Sequence, residues 1–346
     1  MTEIYKVNPQ KPENVILRKA ADIIKKNRLV AFPTETVYGL GADALNSDAV
    51  KKIFFAKERP IDNPLIVHIA DKDDIYVLAK NIPKEAKNLI RNFFPGPLTI
   101  VLEKKPIVPD ETTARLATVA IRMPENRIAI DLIQASQTPI AAPSANRAGR
   151  PSPTKAEHVF QDLKEKVDLI IDGGPTKLGL ESTVVDLTVE TPQILRPGAV
   201  TIEMLRPVLK KIELHPSILG NHADLETNPK SPGMKYRHYA PKTKLIVIVG
   251  KRENIHFKIE ELIHDLHIKK MKVGVASVSE KKYPADHIEN LGYSKYEIAK
   301  NLFDSLRRFD ELNLDLIIAE GVDEEGIGLA IMNRLQKASG YAVVRV

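Results

Sequence analysis

The sequence predicts an α/β protein of two domains, a larger N-terminal one with a mixed, twisted sheet and a smaller C-terminal one. Three observations carry this expectation. Short apolar runs alternate with amphipathic stretches of helical period along most of the chain. The alternation breaks off over residues 207–241, where Pro207, Pro216, Pro229, Pro232 and Pro241 punctuate a polar stretch, and then restarts. The 346 residues are enough for two separate cores. The expected boundaries are 1–206 for the first domain, 207–241 for a linker and 242–346 for the second domain.

The elements follow in order. Pro12 to Asn27 reads as an amphipathic helix, with Pro12 suited to its first turn and Leu17, Ala20, Ala21 and Ile24 on one face. Leu29 to Phe32 is an apolar run fit for one buried strand, and Pro33 ends it by withholding an N–H. Gly39 and Gly41 bracket Leu40, where they would let the backbone turn or approach a ligand closely. Asn46, Ser47 and Asp48 offer N-caps for a helix through Val50, Ile53 and Phe54. Leu65 to Ile69 is a strand; Asp73 to Lys80 and Pro83 to Phe93 are helices, the second stopped by Pro95-Gly96-Pro97. Leu98 to Leu102 and Thr118 to Arg122 read as strands, Asn126 to Gln134 as a helix, and Ile140 to Ala142, Val167 to Ile171 and Thr183 to Asp186 as strands. After the linker come strands at Leu245 to Val249, Lys272 to Val278, Leu316 to Ala319 and Ala342 to Val346. Helices at Glu253 to Leu266, Tyr296 to Leu312 and Gly328 to Ser339 separate them, an order that is Rossmann-like.

Composition bounds the chemistry. Hydrophobic residues make up 43% and charged ones 28%, a globular balance, so the fold needs no disorder to explain it. No cysteine is present, which excludes disulfides, thiolate nucleophiles and thiolate metal sites and fits a cytoplasmic protein. The opening MTEIYKVNPQK has no signal-peptide pattern, and no apolar run approaches the ~20 residues of a membrane helix. A net charge of +6 favours phosphorylated or nucleic-acid ligands.

Motif by motif, several enzyme classes fall away. No GxxxxGK[ST] phosphate loop is present. Gly39-Leu40-Gly41-Ala42-Asp43-Ala44 matches a loose GxGxxA, but the following helix starts too late for a dinucleotide site. His256, His264 and His267 lack carboxylate or thiolate partners at recognised spacing, so a surface helix explains them better than a metal centre.

Lys57, Arg59 and Arg122 stand at helix and strand ends among Thr34, His68, Ser144, Asn146 and Ser182. Such a set suits a polyanion pocket, with lysine as a point charge, arginine as a bidentate fork and hydroxyls as orienting donors. Solvated surface charge is the competing reading for the cations, and one that lets them be removed without unfolding. For His68, inside LIVHI, the competitor is a hydrogen-bonded structural histidine.

Nine blocks carry a resemblance. PTETVYGLG, the KxR of Lys57 to Arg59, NPLIVHI, AIRMP, APSAN, RPSPT, ESTVVD, LRPG and the linker run PGMKYRHYAP occur in order over nearly the whole chain. Together they resemble the YrdC-like family of L-threonylcarbamoyladenylate synthases, in its two-domain form. The resemblance implies a YrdC-like N-terminal domain and an ATP-dependent nucleotidyltransferase that joins L-threonine and bicarbonate or CO2 to AMP with release of pyrophosphate. The product would pass to a transferase complex that makes N6-threonylcarbamoyladenosine in tRNA. It further implies a catalytic tetrad of Lys57, Arg59, Ser144 and Asn146. Thr34, His68, Arg122 and Ser182, with the backbone of Ala142, would contact threonine or its carbamate; Asn63, Thr118, Ser144, Ser152 and Arg196 would serve the nucleotide. Mg²⁺ would arrive with ATP, held by phosphates and water, with no dedicated protein metal site. In the linker, Tyr236 is too large and aromatic for a passive tether and would fold across the pocket.

Two other readings compete. One is an RNA-binding module without catalysis, which the basic charge permits; weak RNA binding is also compatible with the enzyme. Aromatics are only 5% of the chain and no arginine-rich tract occurs, so stacking platforms would be sparse. The other is an enzyme of sugar phosphates or carbamoyl phosphate, and Glu35, Asp43 and Glu58 make a poor metal set for the first of these.

Overall fold

The computed structural model describes residues 1–218 and 238–346. These fall into two compact units, one made of residues 1–148, 152–177 and 181–218, the other of 149–151, 178–180 and 238–346.

In the first unit the chain runs β1 (Glu3–Lys6), α1 (Asn14–Lys25), β2 (Val30–Phe32), β3 (Gly39–Asp43), α2 (Ser47–Lys57), β4 (Ile66–His68), α3 (Asp74–Leu78) and β5 (Ala79–Lys80). It continues through α4 (Lys84–Phe93), β6 (Leu98–Lys104), α5 (Asp110–Thr113), β7 (Thr118–Arg122), α6 (Arg127–Ser136) and β8 (Ile140–Ala141). Then come α7 (Ala156–Leu163), β9 (Leu169–Asp172), β10 (Thr183–Asp186), β11 (Gln193–Arg196), α8 (Ile202–Leu209), β12 (Glu213–Leu214) and a 3-10 turn at Pro216–Ile218. The twelve strands form one mixed sheet in the order β1-β9-β2-β3-β8-β4-β7-β6-β10-β11-β12, with β5 on β6.

Local chemistry explains the helix ends near the site. The Asn46 side chain accepts from the Ala49 N–H and caps α2, while Glu58 closes it in the left-handed region at φ 54°. Asn126 caps α6 in the same way through the Ala129 N–H. On α1, Leu17, Ala20, Ala21 and Ile24 are buried, the helical spacing expected of a core-facing stripe.

Several expectations change. Gly39 and Gly41 form no turn: they lie inside β3, antiparallel to β2. A Cβ on Gly41 would sit 2.7 Å from the Phe32 ring and 2.8 Å from Ile140 Cγ2, so the close approach is to the protein's own core. Ala79 and Lys80, expected as the end of a helix, pair with Lys104 and Glu103 instead. Residues 207–218, expected as the start of a linker, hold the end of α8, β12 and the 3-10 turn. Pro207 removes one helical hydrogen bond from α8, and burial of Leu205 and Leu209 outweighs that loss.

The second unit contains β13 (Lys244–Val249), α9 (Arg252–Ile268), β14 (Val273–Ser277), β15 (His287–Asn290), α10 (Lys295–Phe309), β16 (Leu316–Glu320), α11 (Gly328–Ala338) and β17 (Val343–Arg345). It is the smaller α/β domain that the pattern predicts, and every strand pair in its sheet is parallel. The order β15-β14-β16-β13-β17 differs from that of a dinucleotide-binding half, because β16 inserts between the first and second strands. Strand order depends on which partners meet in space, which a run of elements along the chain does not record. Among the described residues, no helix is long and apolar enough to cross a membrane.

Candidate active site

Strand register decides which side chains share a surface. Opposed residues in a ladder, and residues two apart along a strand, face the same way. His68 pairs with Arg122, Ile66 with Ala120, Val101 with Ala120 and Val184 with Thr99. Ile66, Val101, Ala120, Val184 and Leu195 form a small apolar cluster on that face. Val67, Ile100, Ile121 and Val185, one residue along in each strand, belong to the large core behind it. His68, Arg122, Thr99 and Ser182 therefore stand on the same face as the small cluster. Arg196, opposite Val184 at a register irregularity, joins them.

Three polar groupings border this floor. In the first, the Lys57 ammonium donates to the carbonyl of Ser144, to that of Asn146 at 2.6 Å and to Asn146 Oδ1 at 3.4 Å. Ser144 Oγ donates to the same Oδ1 at 2.5 Å. Lys57 is only 2% exposed, so the expectation of a solvated cation fails. It is buried because α2 ends against the 144–146 loop, whose carbonyls replace its water. Arg59 reaches the Asn63 carbonyl at 3.1 Å and lies 5.7 Å from the centre of the Phe54 ring.

The second grouping surrounds Arg122. Its guanidinium donates to Glu35 Oε1 at 2.6 Å, Thr36 Oγ1 at 2.9 Å and the Gly96 carbonyl at 3.3 Å. Arg122 and Glu35 are each 4% exposed, so this is a buried ion pair. The loop that carries Glu35 is held by Thr34, whose hydroxyl lies 2.8 Å from Thr36 Oγ1 and donates to the Val37 carbonyl at 2.7 Å. Tyr38 ties the same segment down by donating to the Gly174 carbonyl at 2.7 Å.

The third links β10, β11 and β6. Arg196 donates to the Ser182 carbonyl and to Ser182 Oγ, both at 3.0 Å, and Ser182 Oγ lies 2.8 Å from Thr99 Oγ1. Next to it, Ser152 Oγ donates to Glu181. Gly198 is required here, since a Cβ would lie 2.4 Å from the Thr183 nitrogen.

His68 is neutral. Burial first, and then the nearby Arg122 charge, lower its pKa to about 3, against weaker opposition from the Ile66 and Ile140 backbone. A folded-state value below the ordinary 6.5 means that the unfolded chain takes up this proton first as pH falls. His68 therefore contributes stability that is present above pH 6.5 and is lost between about 6.5 and 3. Replacing it with glutamine should shrink the stability difference between pH 7 and pH 5 by about 2 kcal/mol, read from urea unfolding at the two pH values.

Comparison with known proteins identifies the family. The profile of a family described as "Telomere recombination" matches residues 22–198, and one described as "Threonylcarbamoyl-AMP synthase, C-terminal domain" matches residues 200–340. A relative from Pyrococcus abyssi, named threonylcarbamoyl-AMP synthase, is 52% identical over 346 residues, with 100% of both chains covered. The chain belongs to the threonylcarbamoyl-AMP synthase family. A Bacillus subtilis relative of the same name is 48% identical, covering 95% of this chain and 94% of its own. The crystal structure of P. abyssi Sua5 complexed with L-threonine superposes with a TM-score of 0.95 at 51% identity, over 100% of this chain and 99% of that one. The YrdC-like, two-domain resemblance and the transferase activity that it implies are thereby borne out.

Within this synthase fold, register and hydrogen bonds gather most of the residues that the sequence singles out. Lys57, Ser144 and Asn146 touch one another, and Arg59 reaches the backbone of Asn63. Thr34 is joined through Thr36 to Arg122, and Ser182 to Arg196. Ala142 follows β8, its N–H given to Ile66. Thr118 stands apart: it shares the face of Arg122 but at the other end of β7, about 13 Å away at about 3.3 Å per residue. Tyr236 lies outside the described residues. Sequence reasoning did not foresee the pairing of Glu35 and Thr36 with Arg122, nor the contacts of Thr99 and Glu181 with Ser182 and Ser152. The signal for Glu35 was available, because an arginine that ends an apolar strand needs a carboxylate if it is buried.

Proposed function

We propose that this site forms L-threonylcarbamoyl-AMP on the open face of the sheet, with L-threonine and ATP side by side. The threonine amine captures bicarbonate or CO2 to give a carbamate, whose oxygen attacks the α-phosphorus of ATP and expels pyrophosphate. Arg122 holds the threonine carboxylate, with Thr34, Ser182 and neutral His68 around the rest of the molecule and the Ala142 backbone alongside. Lys57 and Arg59 neutralise charge as it moves onto the leaving group, and Ser144, Asn146, Ser152 and Arg196 position the nucleotide. Thr118, about 13 Å along the strand from Arg122, suits the far end of an elongated ligand.

The observation that carries this reading is the one face shared by His68, Arg122, Ser182 and Arg196, bordered by the Lys57–Ser144–Asn146 cluster. Asn63 adds support. It is fully buried, and neither its amide oxygen nor its nitrogen has a hydrogen-bond partner among the described residues. Leaving such groups unmade costs about 1–3 kcal/mol each, a cost that a bound nucleotide would relieve.

Mg²⁺ fits as an ion carried by the nucleotide. Among the described residues no three His, Cys, Asp or Glu side chains converge as ligands, and Glu35 and Glu181 are engaged by Arg122 and Ser152. Bound to the triphosphate, it would neutralise phosphate charge. The product then serves N6-threonylcarbamoyladenosine formation by a transferase complex in the cytoplasm. The test is mass spectrometry of products from ATP, bicarbonate and L-threonine. Pyrophosphate should appear with threonylcarbamoyl-AMP only when all three are supplied, and formation of ADP, or equal turnover with L-serine, would refute the scheme.

A further inference from the structure

The second unit has a crevice where its topology changes direction. β13 and β16 are neighbours in the sheet. The chain leaves β13 through α9 toward β14 on one side, and leaves β16 through α11 toward β17 on the other. In open parallel sheets such a switch point opens a crevice beyond the carboxyl ends of the strands, where ligands bind. Here that place is a cavity of about 500 Å³, reached by Gly250 at the end of β13 and by Glu320 and Gly321 at the end of β16. Its volume is within the roughly 300–1,000 Å³ of small-molecule sites.

The lining combines apolar, cationic and acidic surfaces, the last made of Glu320, Asp323 and Glu324. Ile298, Met332 and Val343 give apolar walls. Arg252 and Arg345 line the cavity and form no ion pair among the described residues, whereas Lys295, also lining it, is engaged by Asp323. Inside stands Glu320, 2% exposed and fixed by the Val278 N–H at 2.7 Å, the Ser279 hydroxyl at 3.0 Å and the Tyr283 hydroxyl. Val278 uses one site on Oε2 of this carboxylate, which leaves that oxygen capacity for another donor. His256 lies 3.8 Å from the other oxygen.

We infer that this crevice is a second nucleotide site, which takes a mononucleotide with its phosphate on Arg252 and Arg345 and a hydroxyl or amino donor on Glu320. Free guanidiniums select a planar or tetrahedral oxyanion, a buried oriented carboxylate selects a donor group, and apolar walls select a flat body between them. Phosphate alone leaves Glu320 and the walls unused, and a free amino acid is too small to span them. The uncapped first turn of α9, which begins at Arg252, adds backbone N–H groups on the phosphate side. All of its lining residues belong to the second unit, and it requires no glycine-rich fingerprint.

The test is hydrogen–deuterium exchange of the full chain with millimolar AMP, with inorganic phosphate in parallel, because peptides report the two units separately. AMP should slow exchange over residues 250–256 and 320–324. Arg252→Ala combined with Arg345→Ala should weaken that protection roughly tenfold to a hundredfold in AMP concentration. Glu320→Gln should weaken it about tenfold; if that buried change unfolds the unit, the exposed arginine variants still decide. Unchanged exchange in both segments, protection that survives loss of both arginines, or equal protection by phosphate alone overturns the assignment.

Discussion

Lys57→Ala is expected to cut synthesis sharply and to lower stability at the same time. The ammonium is 2% exposed and has taken the place of water for the Ser144 and Asn146 carbonyls and for Asn146 Oδ1. Alanine would leave the two carbonyl oxygens facing a void, while Asn146 Oδ1 keeps the Ser144 hydroxyl, and buried acceptors left unmade cost about 1–3 kcal/mol each. A loss of about 2–4 kcal/mol in urea unfolding follows. Turnover, followed as pyrophosphate release, should fall about 10²- to 10³-fold, the usual effect of removing one group that stabilises developing charge. Arg59→Ala is the contrast. Arg59 is half-buried, where Lys57 is fully buried, and its guanidinium donates to the Asn63 carbonyl beside the Phe54 ring, so turnover should drop with a smaller change in the unfolding midpoint. A Lys57→Ala protein that kept its turnover while losing stability would make Lys57 a pin for the 144–146 loop and nothing more.

That dual role marks the limit of what the sequence makes legible. Thr118–Arg122 and Thr183–Asp186 are recoverable residue for residue, since period-two apolar runs with clear boundaries define them locally. The α2 cap at Asn46 is likewise written into the sequence. Burial of Lys57 is not, because it depends on a loop that lies 87 residues away in the chain. Glu3–Lys6, paired with Leu169–Asp172, and Gln193–Arg196, paired with Thr183–Asp186, are short strands whose pairing partners decide them more than their own composition. Gly39 and Gly41 mislead for the same reason: glycine signals a close approach without saying whether a ligand or Phe32 makes it. Motifs named most of the residues that gather at the candidate site, and register explains why residues from five separate segments meet on one face.

The Glu35–Arg122 pair gives the other large effect. Arg122→Ala is expected to destabilise the protein by about 3–5 kcal/mol, since it leaves the Glu35 carboxylate buried without its counter-charge. Glu35→Gln keeps the shape and removes the charge, so it should fold, and its effect should fall on ligand binding. A guanidinium has five N–H groups, and Glu35, Thr36 and Gly96 use three of those on Arg122. One N–H on each terminal nitrogen is left for a threonine carboxylate, aimed only as well as Glu35 holds the plane. Titration calorimetry should show L-threonine bound at least tenfold more weakly by Glu35→Gln, the equivalent of one charge-assisted hydrogen bond misplaced. The double variant Glu35→Gln, Arg122→Met separates the two roles. It should regain much of the stability lost by Arg122→Ala, because a buried ion pair can be replaced by neutral groups of similar volume. Threonine binding should not return with it. If the double variant binds threonine as the parent does, the carboxylate is held elsewhere, and Arg122 serves only to neutralise Glu35 beneath the floor of the site.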